Sequence, residues 1–260
     1  MRASKLPNQG LSIFTVMSAL AAKHNAINLS QGFPEFNPPD DLIRKVNESL
    51  LSGRNQYSPM AGQLSLREVI AERQNAWGRS FEINPDTDIT IVPGATAGLF
   101  ATFQALVQQG EEVIIFDPSY DSYAPAIVLA GGIPIRIPLN QDFSMPWEQL
   151  KSKLSNRTAI IVVNTPHNPL GLVFSQADWL ELALIIQNTD ILVLSDEVYE
   201  HMVFDEKQHV SVLQIPALAN RAVSISSFGK TFHATGWKLG YVTAKAELSA
   251  EIRKVYQFLA

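Results

Sequence analysis

At residues 224–240 the chain reads Ser-Ile-Ser-Ser-Phe-Gly-Lys-Thr-Phe-His-Ala-Thr-Gly-Trp-Lys-Leu-Gly. Apolar runs at 222–225 and 239–242 border this stretch. We therefore expect a strand, then a loop of small residues that carries Lys230, then a second strand. Loops at strand ends are where α/β sheets present reactive side chains. Partial burial would make Lys230 a nucleophilic amine, and a surface lysine that closes a turn is the alternative.

Outward from this stretch, the chain alternates between strands and helices from residue 89 onward. Such alternation predicts an α/β fold of three layers, α/β/α, with a mostly parallel sheet that is covered on both faces. We expect strands at 89–92, 112–116, 133–137, 159–163, 191–194 and 222–225, with helices over 96–109, 122–129, 147–154 and 176–187.

The two ends of the chain add further helices. Helical spacing of apolar residues predicts one helix from Ile13, a second from Asp40 to near Gly53, and a third that ends near Gly78. Residues 28–34 predict a strand that passes into a loop. A last helix, over 247–259, has one apolar side, and we expect that side to be bare and to make the chain prone to aggregate.

Composition excludes several classes of function. With 46% hydrophobic and 17% charged residues among 260, the chain is globular rather than disordered. Its net charge of −5 offers no basic surface for nucleic acid or an anionic membrane. It has no cysteine, and its five histidines show no ligand spacing, so we expect no metal site. The chain has no apolar run of ~20 residues and no N-terminal secretory signal. The absence of cysteine fits a cytoplasmic protein.

A cluster of small residues, Pro-Gly-Ala-Thr-Ala-Gly at 93–98, lies where a strand passes into a helix. Small residues let backbone N–H groups approach an anion, and the start of a helix adds partial positive charge. The stretch therefore predicts a phosphate site. The alternative is a plain turn in which Thr96 caps the helix.

A carboxylate, Asp196, follows the apolar strand at 191–194. Burying such a group without a partner is costly, so its position indicates a role. The alternative is an exposed turn, which is where we expect Glu197 and Glu200 to lie.

Two further loops follow strands. Residues 117–123 read Asp-Pro-Ser-Tyr-Asp-Ser-Tyr, and residues 164–171 read Asn-Thr-Pro-His-Asn-Pro-Leu-Gly. Taken alone, the first predicts a helix-start turn with two packing tyrosines, and the second predicts a loop of turn-forming residues. We expect His167 to be a structural or surface histidine.

Together these motifs resemble, in order, those of the class I aminotransferases, which are fold type I enzymes that use pyridoxal 5'-phosphate (PLP). The resemblance runs from about residue 12 to the end and is closest to the branch of methionine and kynurenine aminotransferases. It implies the large domain of that fold and transfer of an amino group, from methionine or an aromatic amino acid, to a 2-oxo acid. A PLP-dependent carbon–sulfur β-lyase and a truncated, inactive PLP-binding fragment are the alternatives.

The resemblance also implies catalytic roles. Lys230 would hold PLP covalently and then move the substrate proton. Asp196 would pair with the protonated pyridine nitrogen. Tyr199 and Asn168 would bind the phenolic oxygen of PLP, and Asn168 and Gly32 would face the substrate, Gly32 through its backbone N–H to the substrate carboxylate.

Further cofactor contacts follow from the same resemblance. Tyr120 would stack on the pyridine ring. The phosphate would be bound by four residues of the same chain, namely Ala95, Thr96, Ser227 and Lys238. Tyr57 would reach the phosphate of the neighbouring subunit, which implies a homodimer with shared active sites.

The expected domain organisation has two parts. Residues 1–45 would form an N-terminal arm and the start of a small domain, and residues 46–260 the large PLP-binding domain. We expect the C-terminal small domain to be absent, together with the arginine with which the family binds the substrate carboxylate.

Overall fold

The structure is a computed structural model that describes residues 2–7, 9–32 and 34–259. Within these ranges no helix is long and apolar enough to cross a membrane. The helices and strands are α1 (Ile13–His24), α2 (Asp40–Leu51), α3 (Leu64–Ala76), β1 (Ile89–Val92), α4 (Ala95–Leu106), β2 (Glu112–Asp117), α5 (Tyr123–Leu129), β3 (Ile133–Pro138), α6 (Trp147–Lys153), β4 (Thr158–Asn164), α7 (Gln176–Ile186), β5 (Leu192–Asp196), α8 (Pro216–Ala219), β6 (Ala222–Ser227), α9 (Phe228–Thr231), β7 (Gly240–Ala244) and α10 (Ala246–Tyr256), with short 3₁₀ turns at Val212–Gln214 and Thr235–Trp237.

The strands of the described residues form one sheet in the order β1-β7-β6-β5-β4-β2-β3. Strands β3, β2, β4, β5 and β6 pair in parallel with one another, in that order. Strand β7 is inserted antiparallel between β6 and β1. The prediction of a mostly parallel sheet is confirmed.

Both faces of the sheet are covered, which is why its central strands are continuously apolar. Along β2, Ile114 packs on one face, while Val113 and Ile115 pack on the other. Helices α3, α6, α7 and α8 contribute buried residues to the first face, and α4, α5 and α10 to the second. The three-layer α/β/α architecture is therefore confirmed.

Helix α10 does not have the bare apolar side that its sequence predicts. Its residues Ser249, Ile252 and Tyr256 are buried. Ile252 and Tyr256 belong to the hydrophobic cluster that also contains Leu99 and Phe103 of α4. The expectation of a bare side was wrong for Ile252, because α10 folds back over α4 of the same chain, whereas Leu259, beyond the end of α10, is 46% exposed. That the chain is prone to aggregate stays a prediction.

The N-terminal segment is far less buried than the sheet. None of the residues of α1 or α2 is buried, although several are large and apolar. Leu29 and Leu51 are 89% and 81% exposed. The expected domain boundary after residue 45 falls inside α2, which is continuous from Asp40 to Leu51.

The strand predicted within residues 28–34 is wrong for the part of it that the structure describes, and Phe33 lies outside that part. The cause is local. Asn28 accepts hydrogen bonds through Oδ1 from both the amide and the hydroxyl of Ser30. Such side-chain bonds to nearby backbone satisfy the chain without a strand partner.

Candidate functional site

The candidate site lies at the carboxyl ends of three neighbouring parallel strands. Asn164, Asp196 and Ser227 are the last residues of β4, β5 and β6, and Asn164 is directly opposite Asp196 in the register. The chain then turns from Ser227 into α9, which carries Lys230. Ligands of open α/β sheets bind outside this edge, so the topology brings the predicted residues together.

Asp196 is the buried acid of the site. It is 3% exposed, and its Oδ2 accepts a hydrogen bond of 2.6 Å from the hydroxyl of Tyr123. Its Oδ1 accepts a longer bond, 3.4 Å, from the amide of Val198. Burial raises the pKa of Asp196 to about 6, against the hydrogen bond from Tyr123, which lowers it. Tyr123 packs in a hydrophobic cluster, as the turn at 117–123 predicts, and it also hydrogen-bonds Asp196.

Lys230 and Tyr199 face each other across the opening of the site. The Lys230 Nζ lies 5.3 Å from the centroid of the Tyr199 ring, within the range of a cation–π contact. Lys230 is half-buried. Burial raises the pKa of the Tyr199 hydroxyl, and the charge of Asp196 adds to this effect. The amine of Lys230, the phenol of Tyr199 and the carboxyl group of Asp196 therefore lie close enough to influence one another's charge.

The Asn168 loop is held by a residue that the sequence analysis did not single out. Asn164 donates from Nδ2 to the carbonyl of Asp196 at 2.9 Å and accepts at Oδ1 from the amide of Asn168 at 2.7 Å. Asn164 therefore sets the loop directly beside Asp196. A signal was present, because Asn164, like Asp196, is a polar residue at the end of an apolar strand.

His167 lies in the same loop and is half-buried. Its Nδ1 accepts a 3.4 Å hydrogen bond from the amide of Leu170, and burial lowers the pKa of its imidazole. A neutral ring that bonds its own loop agrees with the expected structural histidine.

The predicted phosphate site is a helix start without a side-chain cap. Gly94, at φ 88°, is the N-cap of α4. The alternative in which Thr96 caps the helix is therefore wrong. Ala95 and Thr96 begin the first turn, where backbone N–H groups have no partner within the helix.

The side chain of Lys238 lies over this helix start. A Cβ on Gly94 would be 3.2 Å from Lys238 Cε and 3.3 Å from its Nζ. At the next strand, a Cβ on Gly240 would lie 2.6 Å from the carbonyl of Ser226 and 3.0 Å from the amide of Ala95. Gly94 and Gly240 thus allow β7 to approach the start of α4. This close approach places the ammonium group of Lys238 beside the N-terminus of α4.

Tyr120 connects the phosphate end of the site to the acid. Its hydroxyl is 3.3 Å from Thr96 Oγ1. Its ring meets that of Tyr123 edge to face, with centroids 5.6 Å apart. The aromatic ring predicted to stack on the cofactor is therefore in contact with the residue that hydrogen-bonds Asp196.

Two predicted residues are not brought to the site. The side chain of Tyr57 is 102% exposed, and Gly32 is exposed with open space where a Cβ would stand. Their roles stay predictions.

Glu197 and Glu200 are not exposed, which corrects the sequence analysis. Both are buried, on the face of the sheet opposite to Tyr123. Together with His209 they form a group whose potential metal-ligating atoms lie within 4.8 Å of one another. The spacing of these residues along the sequence did not indicate this cluster.

Hydrogen bonds already satisfy Glu197. Its Oε1 accepts from Ser195 Oγ and the amide of Val212, and its Oε2 from Ser224 Oγ and His209 Nε2, all at 2.8–3.2 Å. Burial would raise the pKa of Glu197, but its partners, His209 first, lower it to about 2. An ionised carboxylate with four donors has little capacity left for a metal ion, so we assign this cluster a structural role.

The residues that meet at this edge fit PLP. The N-terminus of α4 and Lys238 suit a phosphate, Lys230 suits an aldehyde, and Asp196 suits a protonated ring nitrogen. The tight approach at Gly94 and Gly240 leaves no room for a side chain between the helix start and Lys238.

Known proteins match most of the chain. Residues 24–260 match the family model of aminotransferases class I and II. The chain is 52% identical to methionine aminotransferase of Escherichia coli over 98% of its own length and 66% of that protein's. It is 36% identical to kynurenine–oxoglutarate transaminase 1 of the rat, over 99% of its own length and 64% of the relative's.

A solved structure agrees with the sequence comparisons. The crystal structure of an E. coli protein with a methionine aminotransferase function superposes with a TM-score of 0.94 at 50% identity, over the whole of this chain and 68% of the other. The chain thus spans about two thirds of the length of the proteins it matches. It belongs to the class I and II aminotransferase family.

Proposed function

We propose that the protein is a PLP-dependent aminotransferase that moves an amino group from methionine or an aromatic amino acid to a 2-oxo acid. One observation carries the proposal: Lys230 lies 5.3 Å from the Tyr199 ring, at the sheet edge that also holds Asp196 and the start of α4. When bound, PLP supplies an electron-withdrawing ring that stabilises negative charge at the substrate Cα.

Each residue has a role that its surroundings support. Lys230 is the nucleophilic amine that holds the cofactor, and after release it takes the proton from the substrate Cα. Asp196 keeps the pyridine nitrogen protonated. Tyr199 and Asn168 bind the phenolic oxygen of the cofactor.

The remaining contacts complete the cofactor site. Lys238 and Ser227 bind the phosphate with the amides of Ala95 and Thr96, and Tyr120 stacks on the ring. Lys238 acts as a point charge, because an ammonium group lacks the planar fork of arginine.

The assembly is part of the same proposal. The enzyme is a cytoplasmic homodimer in which Tyr57 reaches the phosphate of the other subunit and Gly32 binds the substrate carboxylate. Residues 1–45 form an arm and the start of a small domain, and residues 46–260 form the large PLP-binding domain. The full exposure of Tyr57 supports a contact outside its own subunit.

The names of the relatives favour amino transfer over the carbon–sulfur β-lyase reaction, which would use the same lysine and acid. They also favour methionine and kynurenine as amino donors, since the E. coli and rat relatives are named for them.

The test is covalent trapping of the cofactor. Borohydride treatment of the protein with PLP should fix a pyridoxyl group on the peptide that contains Lys230. The Lys230→Ala variant should lose the adduct and its turnover of methionine with a 2-oxo acid should fall by roughly 10²–10⁴.

Lys238→Ala is the matched control, because it removes the other lysine of the site. It should keep the adduct at Lys230 but bind PLP more weakly. An adduct at Lys238 in the unmodified protein, or no adduct at all, would contradict the proposal.

A further inference from the structure

The shortest hydrogen bond to the acid of the site comes from a residue to which no role has been given. The hydroxyl of Tyr123 lies 2.6 Å from Asp196 Oδ2, and the two residues are 2% and 3% exposed. An O–H donor at this distance from a carboxylate forms a charge-assisted bond, which is about twice as strong as a neutral one. Burial raises the pKa of the Tyr123 hydroxyl well above its usual value, so it stays a donor.

The two oxygens of Asp196 are unequally used. Oδ2 has the short bond from Tyr123, whereas Oδ1 has one amide partner, Val198, at 3.4 Å. A carboxylate offers about four acceptor positions, and a buried one is costly unless they are used. Oδ1 is therefore the oxygen with capacity for a further donor.

Tyr123 is itself held in place by the site. It is the first residue of α5, and its ring is enclosed in the hydrophobic cluster on that face of the sheet. The edge-to-face contact with Tyr120, at 5.6 Å, joins it to the ring predicted to stack on the cofactor. The segment 120–123 therefore controls both a face of the cofactor site and the orientation of its acid.

We propose that Tyr123 is a positioning residue that fixes the Asp196 carboxylate through Oδ2 and leaves Oδ1 for the pyridine nitrogen of PLP. This inference rests on the proposed function. Tyr123 acts through Asp196 and does not itself contact the reacting atoms.

The charges around Asp196 support this role. Burial raises its pKa to about 6, Tyr123 and the Val198 amide lower it, the charge of Glu197 raises it and that of Lys230 lowers it. Tyr199 also faces the carboxyl group, which raises the pKa of the Tyr199 phenol. Of the groups that lower the pKa of Asp196, Tyr123 has the largest effect. An ionised carboxylate accepts hydrogen bonds at both oxygens, so Oδ1 can accept one from a protonated ring nitrogen while Oδ2 accepts one from Tyr123.

The test is the titration of Asp196 in the full chain without cofactor. Carboxyl-¹³C-labelled aspartate gives one signal per residue, and the Asp196→Asn variant identifies the signal of Asp196. In Tyr123→Phe the pKa of Asp196 should rise above its value in the unmodified protein. Affinity for PLP, measured by absorbance at pH 7.5, should fall roughly tenfold or more, as for the loss of a hydrogen bond to a charged group.

Tyr241→Phe is the matched control. Tyr241 lies on β7, and this change also removes a buried tyrosine hydroxyl from a carboxylate, that of Glu200 at 3.1 Å. It should leave the titration of Asp196 unchanged. An unchanged Asp196 signal in Tyr123→Phe, or an equal shift in both variants, would overturn the inference.

A second variant tests the same bond without deleting it. Site-specific 3-fluorotyrosine at position 123 is a stronger hydrogen-bond donor, so it should lower the pKa of Asp196. A raised or unchanged pKa would contradict the inference. Because the titration needs no cofactor, it decides the role of Tyr123 separately, whereas absence of PLP binding would count against the proposed function itself.

Discussion

Two carboxylates that are adjacent in sequence lie in opposite environments at the end of β5. Asp196 faces the side of α4 and α5 and has two hydrogen bonds, one short and one long. Glu197 faces the other side of the sheet and accepts four. Accordingly the pKa of Asp196 is raised to about 6, whereas that of Glu197 is lowered to about 2.

The difference shows that one strand end can hold both a carboxylate whose acceptor positions are used and one with capacity for a ligand. A buried carboxylate with all acceptor positions used holds its neighbours together and has nothing to offer a ligand. A buried carboxylate with few partners costs stability and persists where a ligand needs it. We therefore expect replacement of Asp196 and replacement of Glu197 to have opposite effects on the pH dependence of the free energy of unfolding.

Replacement of Glu197 should have the largest effect on stability. Glu197→Ala leaves the hydroxyls of Ser195 and Ser224, the Val212 amide and His209 Nε2 without their acceptor. Loss of one partner from such a buried network costs about 3–5 kcal/mol. Urea denaturation of the cofactor-free protein measures this loss, and a cost below about 1 kcal/mol would show that the network is not formed.

Replacement of Asp196 should remove a pH dependence of the free energy of unfolding. Its pKa in the folded chain, about 6, lies above the ordinary value of 3.8. Between these values the unfolded chain loses the proton first, so the unmodified cofactor-free protein loses stability as pH rises through this window. Relative to Asp196→Asn, the loss over the whole titration, from well below pH 3.8 to well above pH 6, should be roughly 3 kcal/mol.

Glu197→Gln gives the opposite sign and serves as the control for this titration. The pKa of Glu197 is lowered from 4.5 to about 2, so its contribution is present above pH 4.5 and is lost as pH falls towards 2. If both variants changed the pH dependence in the same direction, the contrast between the two sides of β5 would be wrong.

A smaller effect on stability is expected at Tyr57, which contacts neither Asp196 nor Glu197. Because its side chain is fully exposed, Tyr57→Phe should change the free energy of unfolding of the single chain by less than about 0.5 kcal/mol. If Tyr57 binds the phosphate of the other subunit, the same change should weaken PLP binding roughly tenfold.

Mixed subunits separate these two effects. A dimer of one Tyr57→Phe and one Lys230→Ala subunit contains one unmutated site if sites are shared, so sites with the PLP affinity of the unmodified protein should reappear on mixing. A strictly monomeric protein, or mixtures whose active sites keep the weakened PLP affinity of Tyr57→Phe, would contradict the shared site.

The smallest effect is expected in the N-terminal segment. Leu29→Ser should change the free energy of unfolding of the single chain by less than about 0.5 kcal/mol, whereas Leu150→Ala, in the core, should cost about 2–5 kcal/mol. Equilibrium denaturation over a range of protein concentrations measures both. A large, concentration-dependent cost for Leu29→Ser would show that another subunit covers this segment.

Much of the fold could be predicted from local pattern. The strand at 89–92 has the expected bounds, and the other strands expected from residue 89 onward differ by one or two residues at their ends. Those small differences matter, because Asn164, Asp196 and Ser227 belong to the strands rather than to the loops. Apolar periodicity places strand centres well but does not show where hydrogen-bonded pairing stops.

The contacts of the site could not be predicted in the same way. Tyr123 and Asp196 are 73 residues apart, and their meeting depends on the order of strands in the sheet. The burial of Glu197 likewise depends on the turn around His209, which the strand pattern does not encode. The resemblance to a family named the residues at the strand ends, but it gave no role to Tyr123 or Asn164, which orient them.

The insertion of β7 between β6 and β1 also has a consequence for how the chain acquires its shape during synthesis. Strand β1 pairs with β7 in the described sheet, so this pairing cannot form until residues about 150 positions further along the chain have been synthesised. Such distant pairings slow folding, because the closure of a long loop must precede the contacts that stabilise it. Since Lys230 lies between β6 and β7, its loop takes its final form only when this last strand is in place. If this loop binds PLP as proposed, a nascent chain should become able to bind it late, after the rest of the sheet has formed.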